Sequence, residues 1–395
     1  MTVTRPGEPG PRTTEPAADV ASAATAVGAP TRRRDAAIDT IRGICIVTMT
    51  FSHLAMGTLA DKVTHPAPWV DGASGFVLMS GLVLGMVQPG RIGRGGILAA
   101  EIKLLRRAGL LYVAHVLTVL LAVVAGHFAP AVGWLPRTED HGGTWGTVRD
   151  TLLLQVNPPD IDILSLYVLL LLSAMIGTAL LAGGLAWLLG VLSVGVYVVA
   201  SALPSAFILP IGNGESSKFN AGAWQLLFLS ALAVGWYWKR LELRRRLTSP
   251  RALVLSAGLW AGVTLVGVLF ARMGVIPGIQ PALHDAFYDK TDQGLGRFVL
   301  AWAAFVTLYA GLSWLLGTFR LRWLAPVETI GKRSLASFIV LTVITVLVPV
   351  VAGDDVPGAV ATVIAVASLF VMYGYVLLRY GRPGRPTAAA ATPTA

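Results

Sequence analysis

Histidine, arginine and aspartate occur at helical spacing within one apolar stretch, Ile38 to Gly57 (IDTIRGICIVTMTFSHLAMG), which carries Asp39, Arg42 and His53. Arg42 and His53 would stand about 16 Å apart along a helix axis. Imidazole changes charge near neutral pH, so His53 has the chemistry of a general base for a hydroxyl. Arg42 stays ionised and suits a phosphate or a carboxylate. Each such group costs about 2.5 to 3.5 kcal/mol at the centre of a bilayer, so the stripe must face protein or a wet cavity. Two readings stand side by side. The stripe is a functional site, or Asp39 and Arg42 form a structural pair while His53 bonds a neighbouring carbonyl.

A second constellation, Asp71-Gly72-Ala73-Ser74-Gly75-Phe76-Val77-Leu78-Met79-Ser80-Gly81, leads into the next apolar run. Asp71 is expected at the outer level of His53, where a carboxylate would fix the tautomer of a catalytic imidazole. It reads equally well as the N-cap of a helix. Ser80 and Gly81 fit either a ligand contact or close helix packing. Tyr112, His115, Asp162, Tyr167 and Gln225 add polar groups to later runs, and each also reads as a satisfied structural group. Three long segments, roughly 127–160, 204–221 and 271–296, hold Trp134, Trp145, Asn157, Asp160, Asn213, Glu215, Lys218, Asn220, His284, Asp285, Asp289, Lys290 and Asp292. Polar groups mixed with aromatic faces suit a sugar-like ligand.

The elements that must position these residues follow from composition. The chain has 395 residues, 55% of them hydrophobic and only 13% charged, with mean hydropathy +0.69. Its apolar residues come in long blocks, which marks an all-α, polytopic membrane protein. Runs at roughly 70–88, 107–126, 162–181, 185–203, 222–238, 252–270, 297–317, 334–352 and 357–378 join the opening stretch to make about ten spans. Basic clusters at Arg32–Arg34, Arg91–Arg107, Lys239–Arg251, Arg320–Arg333 and Arg379–Arg385 fall on one side of that scheme. Both termini are therefore expected in the cytoplasm of a multi-pass plasma-membrane protein. Residues 1–34 read as a disordered tail with a basic end, 35–380 as the membrane domain and 381–395 as a second disordered tail.

The net charge of +10 is carried by these short clusters, so it is topogenic and no nucleic-acid partner is expected. Cys45 is the single cysteine, which excludes an intrachain disulfide. The six histidines lack zinc-type spacing, so no metal site is expected. The chain has neither a Gly-x-x-x-x-Gly-Lys-Ser/Thr phosphate loop nor a Gly-x-Ser-x-Gly elbow, against ATP-driven transport and hydrolase chemistry.

Arg34-Asp35-x-x-x-Asp39-x-x-Arg42-Gly43 followed by His53 resembles the first helix of integral membrane acyltransferases that modify sugars, whose hallmark is Arg-x10-His. Within that superfamily the chain resembles OpgC-type proteins, linked to succinylation of osmoregulated periplasmic glucans. Arg106-Arg107 through Tyr112-Val113-Ala114-His115, Asp162 to Tyr167, Asn220 to Phe228, Asp289-Lys290-Thr291 and Gly331 to Leu335 extend the likeness in order over about residues 34 to 340. The chain departs from the family pattern at Asp71-Gly72-Ala73-Ser74, where an acid usually stands in place of Ser74.

The resemblance implies an O-acyltransferase that binds no cofactor and uses acyl-CoA as co-substrate. It takes its acyl donor from the cytoplasm and its saccharide acceptor from outside. His53 would be the base or a transient acyl carrier, with Asp71 orienting it. Arg106 and Arg107 would contact donor phosphates. Asp39, Arg42, Ser80, Asp162, Gln225, Asp289 and Lys290 would bind substrate. The rival is a transporter or flippase of a polar lipid or saccharide using the same stripe.

Overall fold

A computed structural model describes residues 1–2, 35–65, 69–210, 216–272, 287–319, 321–353 and 356–381. Residues 3–34 and 382–395 of the two expected tails, and Asn213, Glu215, His284 and Asp285 among the expected loop residues, lie outside them. The chain divides into two units, Met1–Asp35 and Ala36–Ala395, and the described helices belong to the second.

In chain order these helices are α1 (Ala36–Leu54), α2 (Leu59–Thr64), α3 (Gly72–Phe128), α4 (Thr144–Leu152), α5 (Asp162–Ala182) and α6 (Ala186–Ala202). A small antiparallel hairpin follows, β1 (Ile208–Pro210) with β2 (Ser216–Asn220). Then come α7 (Ala221–Trp236), α8 (Leu243–Leu247), α9 (Pro250–Arg272), α10 (Leu295–Thr318), α11 (Ala325–Lys332), α12 (Ser334–Ala352) and α13 (Gly358–Tyr380). Every expected apolar run is helical. Two of them form the single long α3, broken where Gly96 takes φ 75° and ψ 171°, a conformation that glycine adopts without steric cost.

Among the described residues six helices, α3, α5, α9, α10, α12 and α13, are long and apolar enough to cross a membrane; α6 and α7 are apolar but shorter. Outward faces carry bare apolar side chains, among them Val191 and Val198 on α6, Leu255 on α9, and Phe370 and Leu378 on α13. Water would penalise such surfaces, and hydrocarbon does not.

α1 lies at the centre and packs on α3, α10, α11, α12 and α13. Glycine sets the closest of these contacts. The space that a side chain at Gly43 would need is filled by the Val327 carbonyl, and at Gly331 by the Asp39 carbonyl and the Gly43 nitrogen. The α1 and α11 backbones therefore touch around Asp39–Gly43. A second small-residue seam joins α3 to α7, where Gly81 and Gly85 face the Phe228 and Leu232 carbonyls and Gly235 faces that of Leu82. Trp224, Phe228, Tyr309 and Phe338 are the largest fully buried side chains of the core between them.

Candidate active site

The backbone contact of α1 with α11 delivers Ser334, which begins α12, to Arg42, whose Nη2 donates to the Ser334 hydroxyl. Asp39 Oδ1 lies 4.0 Å from Arg42 Nη1, one turn away on α1. Around this end gather other cations from α3. Arg107 stands within electrostatic reach of Arg42, Arg91 and Tyr167. Its Nε is buried and has no partner among the described residues. Arg91 donates to Gln88 Oε1 at 3.3 Å, and Gln88, fully buried, has its Nε2 unpartnered among the described residues. Ser80 accepts a 3.2 Å hydrogen bond from the buried Tyr167 hydroxyl. Arg106 is exposed.

At the far end of α1, His53 Nδ1 lies 2.7 Å from Asp160 Oδ1, and both side chains keep partial exposure at 20% and 28%. The loop before α5 holds Asp160 there. Asn157 is buried in it and donates to the Leu154 and Pro210 carbonyls, both at 2.7 Å. The Ile161 and Asp162 N–H groups close back on the Pro158 carbonyl at 3.1 Å. Asp160 itself has φ 71°, a left-handed conformation costly for a residue with a side chain and frequent at functional sites. A carboxylate on Nδ1 keeps the proton there and leaves the Nε2 lone pair to accept another.

Asp71 therefore does not orient His53. α3 begins too deep for that: Gly72 packs on Cys45, Thr48 and Met49 of α1, at least about one helical turn short of His53. One Asp71 oxygen caps α3 by accepting from the Ser74 N–H at 2.8 Å. The other meets Arg297 Nη2 at 2.9 Å and Lys290 Nζ at 3.1 Å. Burial alone would raise the Asp71 carboxyl, but the Lys290 and Arg297 charges and the Ser74 N–H outweigh it and hold the group well below the usual carboxylate range.

Lys290 comes from a turn clamped by α7. The Asn220 N–H bonds the Thr291 carbonyl at 2.9 Å, and its side-chain amide reaches Asp292 Oδ1 at 2.8 Å while capping Ala223. Trp224 Nε1 donates to the Lys290 and Thr291 carbonyls at 3.1 Å. Asp289 folds inward, accepting the Asp292 N–H at 2.8 Å. Gln225 is taken up by helix packing, since its amide exchanges two bonds with Ser193 of α6 at 2.8 and 2.7 Å. Asp162 is buried in the first turn of α5, two positions from Asp160. His115 lies wholly buried against the Val156 and Ile161 backbone, beneath the Asp160 loop. Tyr112 bonds the Leu152 carbonyl at 2.8 Å. No cluster of three or more potential metal ligands occurs among the described residues.

Residues 34–381 match the family model described as OpgC protein. The chain belongs to the OpgC family. The match covers the Asp39–Gly43 segment, both ends of α1 and the α11–α12 junction, and it runs on through α13, beyond the stretch in which family motifs are visible by eye. No curated protein and no solved structure matches the chain. OpgC membership and membrane-like helices together suggest a membrane acyltransferase.

Sequence reading placed Asp160 among polar loop residues without a role at His53, and it passed over Arg297. Asp160 stood in a long loop among several acids, and its one signal was the stiff Asn157-Pro158-Pro159 lead-in. Arg297 opens an apolar run, a lone arginine in a segment whose other basic residues are few.

Proposed function

We propose that this OpgC-family protein is an integral membrane O-acyltransferase of about ten spans with both termini in the cytoplasm. Its donor is a cytoplasmic acyl-CoA and its acceptor a hydroxyl of an extracytoplasmic saccharide. The observation that carries this reading is the polarity of α1, with arginines gathered at one end and a histidine–carboxylate pair at the other. Arg42, Arg107 and Arg91 attract the donor phosphates, and Gln88 adds a neutral donor beside them. The acyl group rides an extended pantetheine arm towards His53, about 16 Å away along α1.

There the Nε2 of His53 takes the proton of the acceptor hydroxyl as its oxygen attacks the acyl carbonyl. The bond to sulfur breaks and the thiolate leaves. Asp160 holds the imidazole and stabilises the imidazolium that forms.

The test replaces His53 by Ala and Asp160 by Asn in cells, and measures acylation of envelope glycans by mass spectrometry alongside saccharide uptake and export. Acylation should disappear with His53→Ala and fall by about a hundredfold or more with Asp160→Asn, while saccharide movement is unchanged. Transport lost with acylation intact would favour the transporter or flippase instead. Wild-type cells that acylate no glycan would remove the enzyme reading altogether.

A further inference from the structure

Between Lys290 and Arg297, both fixed on the Asp71 carboxylate, the chain places Gln293. This residue is 1% exposed, yet neither its Oε1 nor its Nε2 has a hydrogen-bond partner among the described residues. It also holds φ 46°, left-handed for a residue with a side chain. Leaving a buried amide wholly unpaired costs more than forming its bonds gains, so such a group is completed by water or by a ligand. Four residues on, in the first turn of α10, Arg297 is 5% exposed, and its Nε is likewise unpartnered among the described residues. The turn is not loosely held, because Asn220 and Trp224 bond its backbone.

The unpaired atoms define the missing chemistry. Nε2 of Gln293 and Nε of Arg297 need acceptors, which a carboxylate, a phosphate or a hydroxyl supplies. Oε1 of Gln293 needs a donor, and an anion has none to give. A pair of neighbouring hydroxyls satisfies all three, since each hydroxyl both donates and accepts.

We propose that Gln293, with Arg297, forms a subsite that binds two adjacent hydroxyls of the acceptor saccharide, separate from the hydroxyl acylated at His53. This rests on the acyltransferase reading. In it, Asp71 and Lys290 are positioning residues that set Arg297, and Gln293 touches the substrate.

The experiment uses the full chain in lipid vesicles with acetyl-CoA and succinyl-CoA as donors. The acceptors are methyl glycosides of glucose, galactose and N-acetylglucosamine, and their monodeoxy analogues. With the wild type, removing either hydroxyl of one adjacent pair should raise the acceptor KM about tenfold. Gln293→Met should raise the acceptor KM of the parent sugar by about tenfold, leave the donor KM and kcat in place, and abolish the penalty for the deoxy analogues. Its thermal midpoint should be unchanged or higher, because two unpaired polar atoms are gone.

A Gln293→Met protein with wild-type acceptor kinetics and wild-type deoxy penalties overturns the subsite and leaves the acyltransferase intact. If Gln293→Met does not fold, Gln293→Ala is measured instead. It removes both polar atoms of the amide, so the penalty should vanish at both hydroxyls of the pair. Unchanged penalties at both overturn the proposal. Wild-type protein that acylates none of the sugars overturns the enzyme reading, and the subsite falls with it.

Discussion

The bundle holds two groups of cations in opposite ways. At one, Arg297 and Lys290 share Asp71 at 2.9 and 3.1 Å, so the fold supplies a countercharge itself. At the other, Arg91 leans on neutral Gln88, and Arg107 has its Nε unpartnered among the described residues while facing Arg42 and Arg91. A cation paired inside the fold is part of the scaffold, and removing its partner strands a buried charge. Cations set against one another raise the energy of the empty protein and lower it again when an anion arrives. The two groups should therefore answer mutation with opposite signs.

Asp71→Asn gives the largest effect on stability. Asparagine still caps α3, but Arg297 is left buried without its charge partner, a loss of about 3 to 5 kcal/mol. Denaturant or thermal unfolding in detergent reads it directly. Because the folded Asp71 carboxyl is held below its ordinary range, its contribution is complete above the unfolded value near ~3.9 and fades as pH falls below that. Wild-type protein should thus lose stability between about pH 4 and pH 2 in a component that Asp71→Asn lacks. Replacing the pair together, Asp71→Leu with Arg297→Met, should recover most of the loss. An Asn variant as stable as the parent breaks the contrast.

Arg107→Gln should move stability the other way. Relieving the repulsion from Arg42 and Arg91 raises the unfolding free energy by about 1 kcal/mol. The same change should weaken the donor, raising the KM for acyl-CoA about tenfold and flattening its dependence on salt. The acceptor KM is the internal control and should stay in place. Arg107→Gln that destabilises the protein without touching the donor KM would make this group scaffold as well.

How much of this could be read in the chain depends on distance along it. The apolar runs are helical because twenty or so residues without charge leave few alternatives in hydrocarbon. Asp39, Arg42 and His53 lie on one helix, so their spacing alone put them on one face. Gly43 and Gly331 are visible as letters, but the backbone contact between them joins distant segments, and only the fold shows why neither carries a side chain. The carboxylate on His53 failed the sequence reading for the same reason. Asp71 was nearer along the chain and Asp160 is nearer in space, because α3 begins against the middle of α1. Local pairs such as His65 with Asp61, one turn apart on α2, are easy to foresee and say little about function.

Lys290→Met is the finest probe of the comparison. Lys290 and Arg297 bind the same oxygen of Asp71, but the lysine side chain is 41% exposed and the arginine only 6%. Water already solvates much of the ammonium, so its pairing contributes less than about 1 kcal/mol, while the buried guanidinium keeps Asp71 charged without it. Lys290→Met should therefore shift the unfolding midpoint only slightly and preserve the low-pH component that Asp71→Asn removes. A loss as large as that of Asp71→Asn would mean that the cluster acts as one indivisible unit. A loss near zero, with the acid component intact, assigns the scaffold role to Arg297 and leaves the lysine facing the wet side of the site.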